Sequence, residues 1–382
     1  MLMLMLKIPG VLFALLLAST VTLSAADAGA ASPPPPVAVV PEAEWTRAED
    51  VTRYGLNAAR LAALTPFLQS LDTTAMMVVV DGHVVFDYGD LARVSYLASG
   101  RKSVLSLLYG NAVASGAVRL NQTLAELGLD DLQGLMPAER EATVEDLLTS
   151  RSGIYHPASN GGDAAAYAPP RGSQRPGQYY LYNNWDFNAA GTIYEQATGR
   201  DIYAALQEDL VIPLGMQDYD PARQKKSGNA ERSRHLAYPI ELSTRDMARI
   251  GQLVLRKGEW AGRQLVPRDW IERTTALITP PEAIEPSSWR GTAEGGHWGY
   301  GILWWVWADR GLDGPFRGAH TAWGVSGQYI TILPELRMVV AHKTVPGRTP
   351  EGRVRGVSVM QYQAILMHLI AAHERGAIET RR

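Results

Sequence analysis

Strand-forming runs stand toward the two ends of this chain, with a long helical stretch between them, and that order limits the folds open to it. Residues 75–80 and 84–88 are rich in β-branched and aromatic side chains and are joined by Asp81–Gly82–His83, a hairpin signal. The same pattern returns at 300–306, 328–333 and 337–344, the last two flanking a turn at Pro334–Glu335. Between them the apolar spacing is helical, first in Val104, Leu105, Leu107 and Leu108, then over 143–148, 188–198, 202–210, 244–256 and 267–276. Helices are also expected at 56–68 and 357–372. Strands from both ends can share one antiparallel sheet only if the helical block is inserted between them. The expected fold is therefore α/β (α+β): an antiparallel β-sheet flanked by helices, formed from both chain ends, with an inserted mainly helical domain. The sheet part would span 45–98 and 290–382 and the helical part 99–289.

The junction of those parts holds an unusual helix start. Ser99 precedes the apolar run of 104–108, where a hydroxyl can cap a free backbone N–H. A first helical turn favours Asp or Glu, because the helix N-terminus is the positive end of the dipole. This one carries Arg101 and Lys102. A local rule broken at one place points to function. Lys102 lies one turn beyond Ser99, so the two side chains share a face. A partly buried lysine at the positive end of a dipole has a lowered pKa and can take the proton of a serine hydroxyl.

Two further segments fit the same cleft. In Tyr182–Asn183–Asn184 a phenol and an amide two residues apart can both point inward, and Tyr182 as phenolate beside the Lys102 ammonium could share the base role. A second Tyr-x-Asn, Tyr109–Gly110–Asn111, lies at the far end of the Ser99 helix and cannot face Ser99. Trp323–Gly324–Val325–Ser326–Gly327–Gln328 leads into a late strand, and glycine beside a strand start permits close backbone approach. The N–H of Gln328 could then join that of Ser99 as an oxyanion hole. The aromatic residues Trp298, Tyr300, Trp304, Trp305, Trp307 and Trp323 read mainly as core, with one or two reaching substrate.

Ser-x-x-Lys, then Tyr-x-Asn about eighty residues on, then a small-residue triplet on a late strand resembles the motif order of the penicillin-recognising serine hydrolases. These comprise class C β-lactamases, DD-peptidases, family VIII esterases and 6-aminohexanoate-dimer hydrolases. The stretches at 143–159, 182–199, 242–267 and 326–342 look more like the 6-aminohexanoate hydrolase and esterase branch than like a true β-lactamase. The resemblance implies Ser99 as acylated nucleophile, Lys102 as its activator and Tyr182 as second acid/base. It implies an oxyanion hole from the N–H groups of Ser99 and Gln328, with Asn184, Trp323, Val325, Ser326 and Gly327 contacting substrate. The family's third triplet begins with Lys or His, which binds a substrate carboxylate; here that position is Val325. Arg317, His320 and Lys343 are the cations nearby in sequence that could replace it. The expected substrate is a small ester, amide or peptide.

Other classes are poorly served. A net charge of −3 and the lack of a basic stripe argue against nucleic-acid binding. The chain has no cysteine, and its eight histidines are scattered with no paired spacing, so no metal and no cofactor are expected. His156, in the loop-like stretch 151–177, reads as structural. A Gly-x-Ser-x-Gly elbow is lacking, which argues against an α/β-hydrolase. Lys7 followed by an apolar run and small residues at Ser24–Ala25–Ala26 reads as a signal peptide over 1–26, cleaved near Ala26. Residues 27–44, with Pro33–Pro36, read as a disordered tether. Export to the periplasm or medium without stable membrane insertion is the resulting expectation. Oligomeric state is not legible.

Overall fold

The strands from the two ends of the chain meet in one sheet. The computed structural model describes residues 39–41, 44–162, 166–284, 298–308 and 314–373. The expected signal peptide and most of the tether lie outside the described residues. The strands are β1 (Ala75–Val80), β2 (His83–Gly89), β3 (Ser95–Tyr96), β4 (Glu241–Leu242), β5 (Glu259–Trp260), β6 (Arg263–Gln264), β7 (Trp298–Tyr300), β8 (Trp305–Trp307), β9 (His320–Gly324), β10 (Gln328–Leu333) and β11 (Met338–Lys343). Seven of them form the main sheet in the order β2-β1-β11-β10-β9-β8-β7. The join between the chain ends is the antiparallel pair β1–β11, in which Val78 stands opposite Val340. Both strands are buried along their whole length, which explains their near-continuous apolar sequences.

Each face of the sheet carries a helix. The helices that matter here are α1 (Arg101–Ala114), α2 (Val144–Leu148), α3 (Asn184–Thr198), α4 (Thr244–Leu255) and α5 (Val359–Ala372). Alternate residues of β10 serve the two faces, as a period of two requires. Ile330 lies against Gly251 of α4, while Tyr329 stacks on Tyr362 of α5 with centroids 3.8 Å apart. The Tyr362 hydroxyl donates to Thr331 Oγ1 at 2.7 Å, or accepts from it, so the phenol is not left unpaired in the core. α4 falls inside the expected helical part but packs on the sheet, so the two parts interleave along the sequence.

Several elements depart from the sequence expectation for local reasons. The helix expected over 56–68 is two pieces, Ala58–Ala62 and Leu64–Gln69, because Pro66 has no N–H to continue the ladder. The strand expected over 300–306 is a tight hairpin, β7 and β8, turned by Leu303 at φ +63°. The stretch before 328, read as a lead-in, is a strand of its own, β9. α3 begins at Asn184 and not at 188, because the Asn183 side chain caps it by accepting from Trp185 N at 3.0 Å.

Gly251 is a close-packing point between α4 and the sheet. A Cβ there would lie 2.4 Å from Val339 Cγ1 and 3.0 Å from Ile330 Cγ2. Gly251→Leu is expected to destabilise the fold by about 1–3 kcal/mol through overpacking. Gly347→Ala, where nothing lies within 4 Å, should stay within about 0.5 kcal/mol. Urea midpoints of the two variants check this, and equal midpoints would contradict the packing.

Candidate active site

The Ser99 turn is built by pairing on both sides. β3 pairs with β4, Ser95 facing Leu242, and Leu97 N donates to Ile240 O at 2.9 Å. The chain then makes a short 3₁₀ turn, Ala98–Gly100, before α1 begins. Ala98 sits at φ +51°, a left-handed conformation that a residue with a Cβ adopts at a cost. The turn projects Ser99, which is partly exposed, at the head of the helix.

Lys102 points back along the same face, as the spacing requires. Its Nζ lies 2.7 Å from Ser99 Oγ and 2.9 Å from Tyr182 OH. The amine sits over the rings of Tyr182 and Phe187, 4.4 Å and 4.5 Å from their centroids. Lys102 is 1% exposed. Burial holds its pKa well below the usual lysine value, and the neighbouring Arg101 charge pushes it the same way. Arg101 is itself buried; Asn188 Oδ1 at 3.2 Å and the Tyr238 ring at 4.2 Å from its guanidinium carbon are its contacts. The two basic residues of the first helical turn thus have different tasks. One lies against Ser99 and Tyr182, and the charge of the other pushes its pKa further down.

Tyr182 is buried, with its hydroxyl beside the Lys102 amine. Burial pushes its pKa well above the ordinary tyrosine value, and a hydrogen bond with Ser99 only partly offsets this. The Tyr182 ring is fixed by Trp305 at 5.3 Å, Phe187 at 4.8 Å and, edge-on, Tyr300 at 5.9 Å between centroids. Phe187, which sequence groups with Tyr182 as an aromatic neighbour, also faces the Lys102 amine. The aromatic residues expected as core are buried, and Trp304 is turned away, donating through Nε1 to Ser106 Oγ at 2.8 Å.

The β9–β10 turn closes the site from the sheet. Gly324 touches the Ser99 turn: a Cβ there would meet Leu97 O at 2.3 Å and Ala98 Cβ at 3.0 Å. Only glycine allows that approach. Gln328 stands across the ladder from Gly324, and its side chain donates to Thr344 O at 2.6 Å. Val325 is 46% exposed, while Trp323 is buried. Ser326 and Gly327 take positive φ, +65° and +98°, to complete the turn. The cations considered as replacements at Val325 are all engaged. Arg317 pairs with Glu335 at 2.6 Å, and His320 Nδ1 lies 2.9 Å from Gly318 O in the core. Lys343 Nζ donates to Ser95 O at 2.7 Å and Leu242 O at 2.6 Å.

On the other flank, Asn184 donates to Gly161 O at 2.9 Å. His156 lines a pocket there but is held 3.4 Å from Glu139 Oε2, itself paired with Arg171 at 2.8 Å. Among the described residues no cluster could hold a metal ion, and no helix is long and apolar enough to cross a membrane.

The family model for beta-lactamase matches residues 61–344. Among solved structures, a Bacillus anthracis protein provisionally titled 6-aminohexanoate-dimer hydrolase is 17% identical, covers 82% of each chain and superposes with a TM-score of 0.59. A penicillin-binding protein homologue from Caulobacter crescentus is 15% identical over 85% of this chain and 99% of its own, with a TM-score of 0.58. Simvastatin synthase from Aspergillus terreus is 16% identical over 85% of this chain and 98% of its own, with a TM-score of 0.59. These likenesses establish the fold. No match was found among curated protein sequences.

The Arg101 charge has a measurable consequence. A like charge beside Lys102 favours its neutral form, so removing that charge raises the pKa. Arg101→Met should move the titration of Lys102, followed by the ¹³Cε shift, to higher pH. A titration that stays in place would show that burial alone sets it.

Proposed function

The chain belongs to the beta-lactamase family and is a serine hydrolase; from that premise we propose that it cleaves carboxylic esters or linear amides through an acyl-Ser99 intermediate. The observation that carries the reading is the single buried amine within hydrogen-bond reach of both Ser99 Oγ and Tyr182 OH.

In this reading neutral Lys102 takes the Ser99 proton as Oγ attacks the substrate carbonyl. The resulting oxyanion is held by backbone N–H groups, one of them from Ser99. For the second we favour Val325, which directly follows the glycine packed on the nucleophile turn, over Gln328, which stands across the ladder. The tetrahedral intermediate collapses, the bond to the leaving group breaks, and the leaving group takes a proton from the Tyr182 phenol. The Lys102 ammonium returns a proton to Tyr182. Water then attacks the acyl-enzyme, giving up a proton to the same pair, and Ser99 is regenerated. Tyr182 acts as proton donor and not as a standing phenolate, because its burial favours the neutral form.

Substrate class follows from Val325. It gives a β-lactam or peptide carboxylate no charge to meet on that side, and Arg317, His320 and Lys343 are occupied. Esters come before amides, since an alkoxide leaves more easily than an amine. We also propose export, with cleavage near Ala26, on the pattern of the first 26 residues. N-terminal sequencing of the exported protein tests it, and a retained leader would overturn it.

Ser99→Ala should abolish turnover, and intact-mass analysis with a slow acylating agent should place the adduct on Ser99. Lys102→Arg should be nearly inactive, because a guanidinium does not deprotonate there. Tyr182→Phe should lose at least about 100-fold in kcat, as for a lost acid/base group. Undiminished activity in any of the three contradicts the mechanism. In a substrate panel, a β-lactam cleaved with higher kcat/KM than every ester and linear amide would overturn the substrate class.

A further inference from the structure

A pocket of about 200 Å³ opens beside Tyr182 and Asn184, lined also by the 155–162 loop and by Arg232. Its described lining includes no carboxylate, and Asn160, Asn183 and Asn184 bring neutral amides to it. His156 is committed to Glu139, which leaves Arg232 as the cation available to a ligand.

Arg232 stands on a braced loop. Its N–H donates to Asn229 O at 3.1 Å, and Asn229 N donates to Ser159 O at 2.7 Å. On the other side, Ser233 Oγ and Arg234 N donate to the buried Asp131 carboxylate at 2.6 Å and 2.8 Å. That carboxylate also receives Trp185 Nε1 at 2.7 Å, from the first turn of α3 and one residue past Asn184. The backbone under Arg232 is therefore tied to the helix that follows Tyr182. Its side chain is the contrast. Nearby arginines are paired, Arg171 with Glu139 and Arg140 with Asp130, while the Arg232 guanidinium has no hydrogen-bond or ion-pair partner among the described residues.

We propose that Arg232 is an anion-recognition residue of the substrate pocket, and that preferred substrates are esters or amides bearing a carboxylate on the part that fills it. The proposal rests on the acyl-Ser99 reading and names its substrate class. A guanidinium forks onto a carboxylate with two parallel hydrogen bonds, which a neutral isostere does not match. The charge that is missing at Val325 is thus supplied from the opposite flank, for a substrate of different shape from a β-lactam. Because Arg232 is exposed, water and salt screen it, and discrimination of about tenfold is the expected scale.

The test uses the full-length protein and two substrate series. Ethyl half-esters of succinic, glutaric, adipic and pimelic acids carry the carboxylate on the acyl side. Butyrate esters of ω-hydroxy acids carry it on the leaving side. Each is compared with the analogue in which a primary amide replaces the carboxylate. In one series the wild type should favour the carboxylate by kcat/KM, and Arg232→Gln should lower that carboxylate-to-amide ratio about tenfold. Arg232→Lys should keep part of the preference, and raising the salt should erode it in the wild type but not in Arg232→Gln. A ratio that Arg232→Gln leaves unchanged in both series, or an amide preference in both, overturns the proposal. If a fluorophosphonate labels Ser99 and only neutral esters turn over, the hydrolase reading stands and the Arg232 proposal falls. If Ser99 is not labelled and neither series is cleaved, the acyl-enzyme reading fails and takes this proposal with it.

Discussion

An amine buried without a carboxylate is the constraint around which this site is arranged. Lys102 has aromatic faces, a hydroxyl and a phenol for company, and a second cation next to it in the chain. A charged ammonium in such a place is poorly solvated, so the proton is held weakly and the group is ready to accept one from a neighbour. The same burial pushes the Tyr182 pKa up. One low-dielectric environment therefore shifts two groups in opposite directions, the amine down and the phenol up.

Holding a serine against that amine falls to the sheet. The short pair β3–β4 delivers the chain to the Ser99 turn, and Gly324 packs directly on the turn's backbone. Lys343, at the end of β11, bridges the carbonyls of Ser95 and Leu242 and so ties this small pair to the main sheet. Burial lowers the Lys343 pKa to about 7, with Glu241 opposing. Two of its donors are used on backbone oxygens in the core, so a residue that sequence placed among possible substrate ligands is a structural clamp. The strained φ of Ala98 is held by these contacts on either side of it.

The elements read correctly from sequence were those whose signals are local. β1, β10 and β11 are apolar runs of strand length, and α1, α4 and α5 show helical spacing closed by hydrogen-bonding caps or turns. The departures have local chemistry too, but chemistry that needs knowledge of neighbours. Pro66 divides a helix whose apolar spacing is continuous. β7 and β8 come from one tryptophan-rich run that turns at Leu303, because the two halves bury more by pairing with each other and with β9 than by extending. The start of α3 was hidden by Trp185 and Phe187, whose aromatic character suits a loop-lined cleft as well as a helix.

By itself the sequence determined the order of the elements and the closure of one sheet from both ends, and it singled out Ser99, Lys102 and Tyr182, which the fold brings within hydrogen-bond reach of one another. It could do so because helix periodicity fixes which side chains share a face, and because a helix start that defies its own dipole stands out without reference to the rest of the fold. It did not determine protonation states, the backbone that faces Ser99, or which cations are free. Those depend on desolvation and on pairing between residues far apart in the chain. Tertiary structure decided that burial raises the Tyr182 pKa, that Gly324 is the residue pressed on the Ser99 turn, and that Arg317, His320 and Lys343 are engaged elsewhere. A pKa and a partner are properties of an environment, and that environment exists only once the chain has folded.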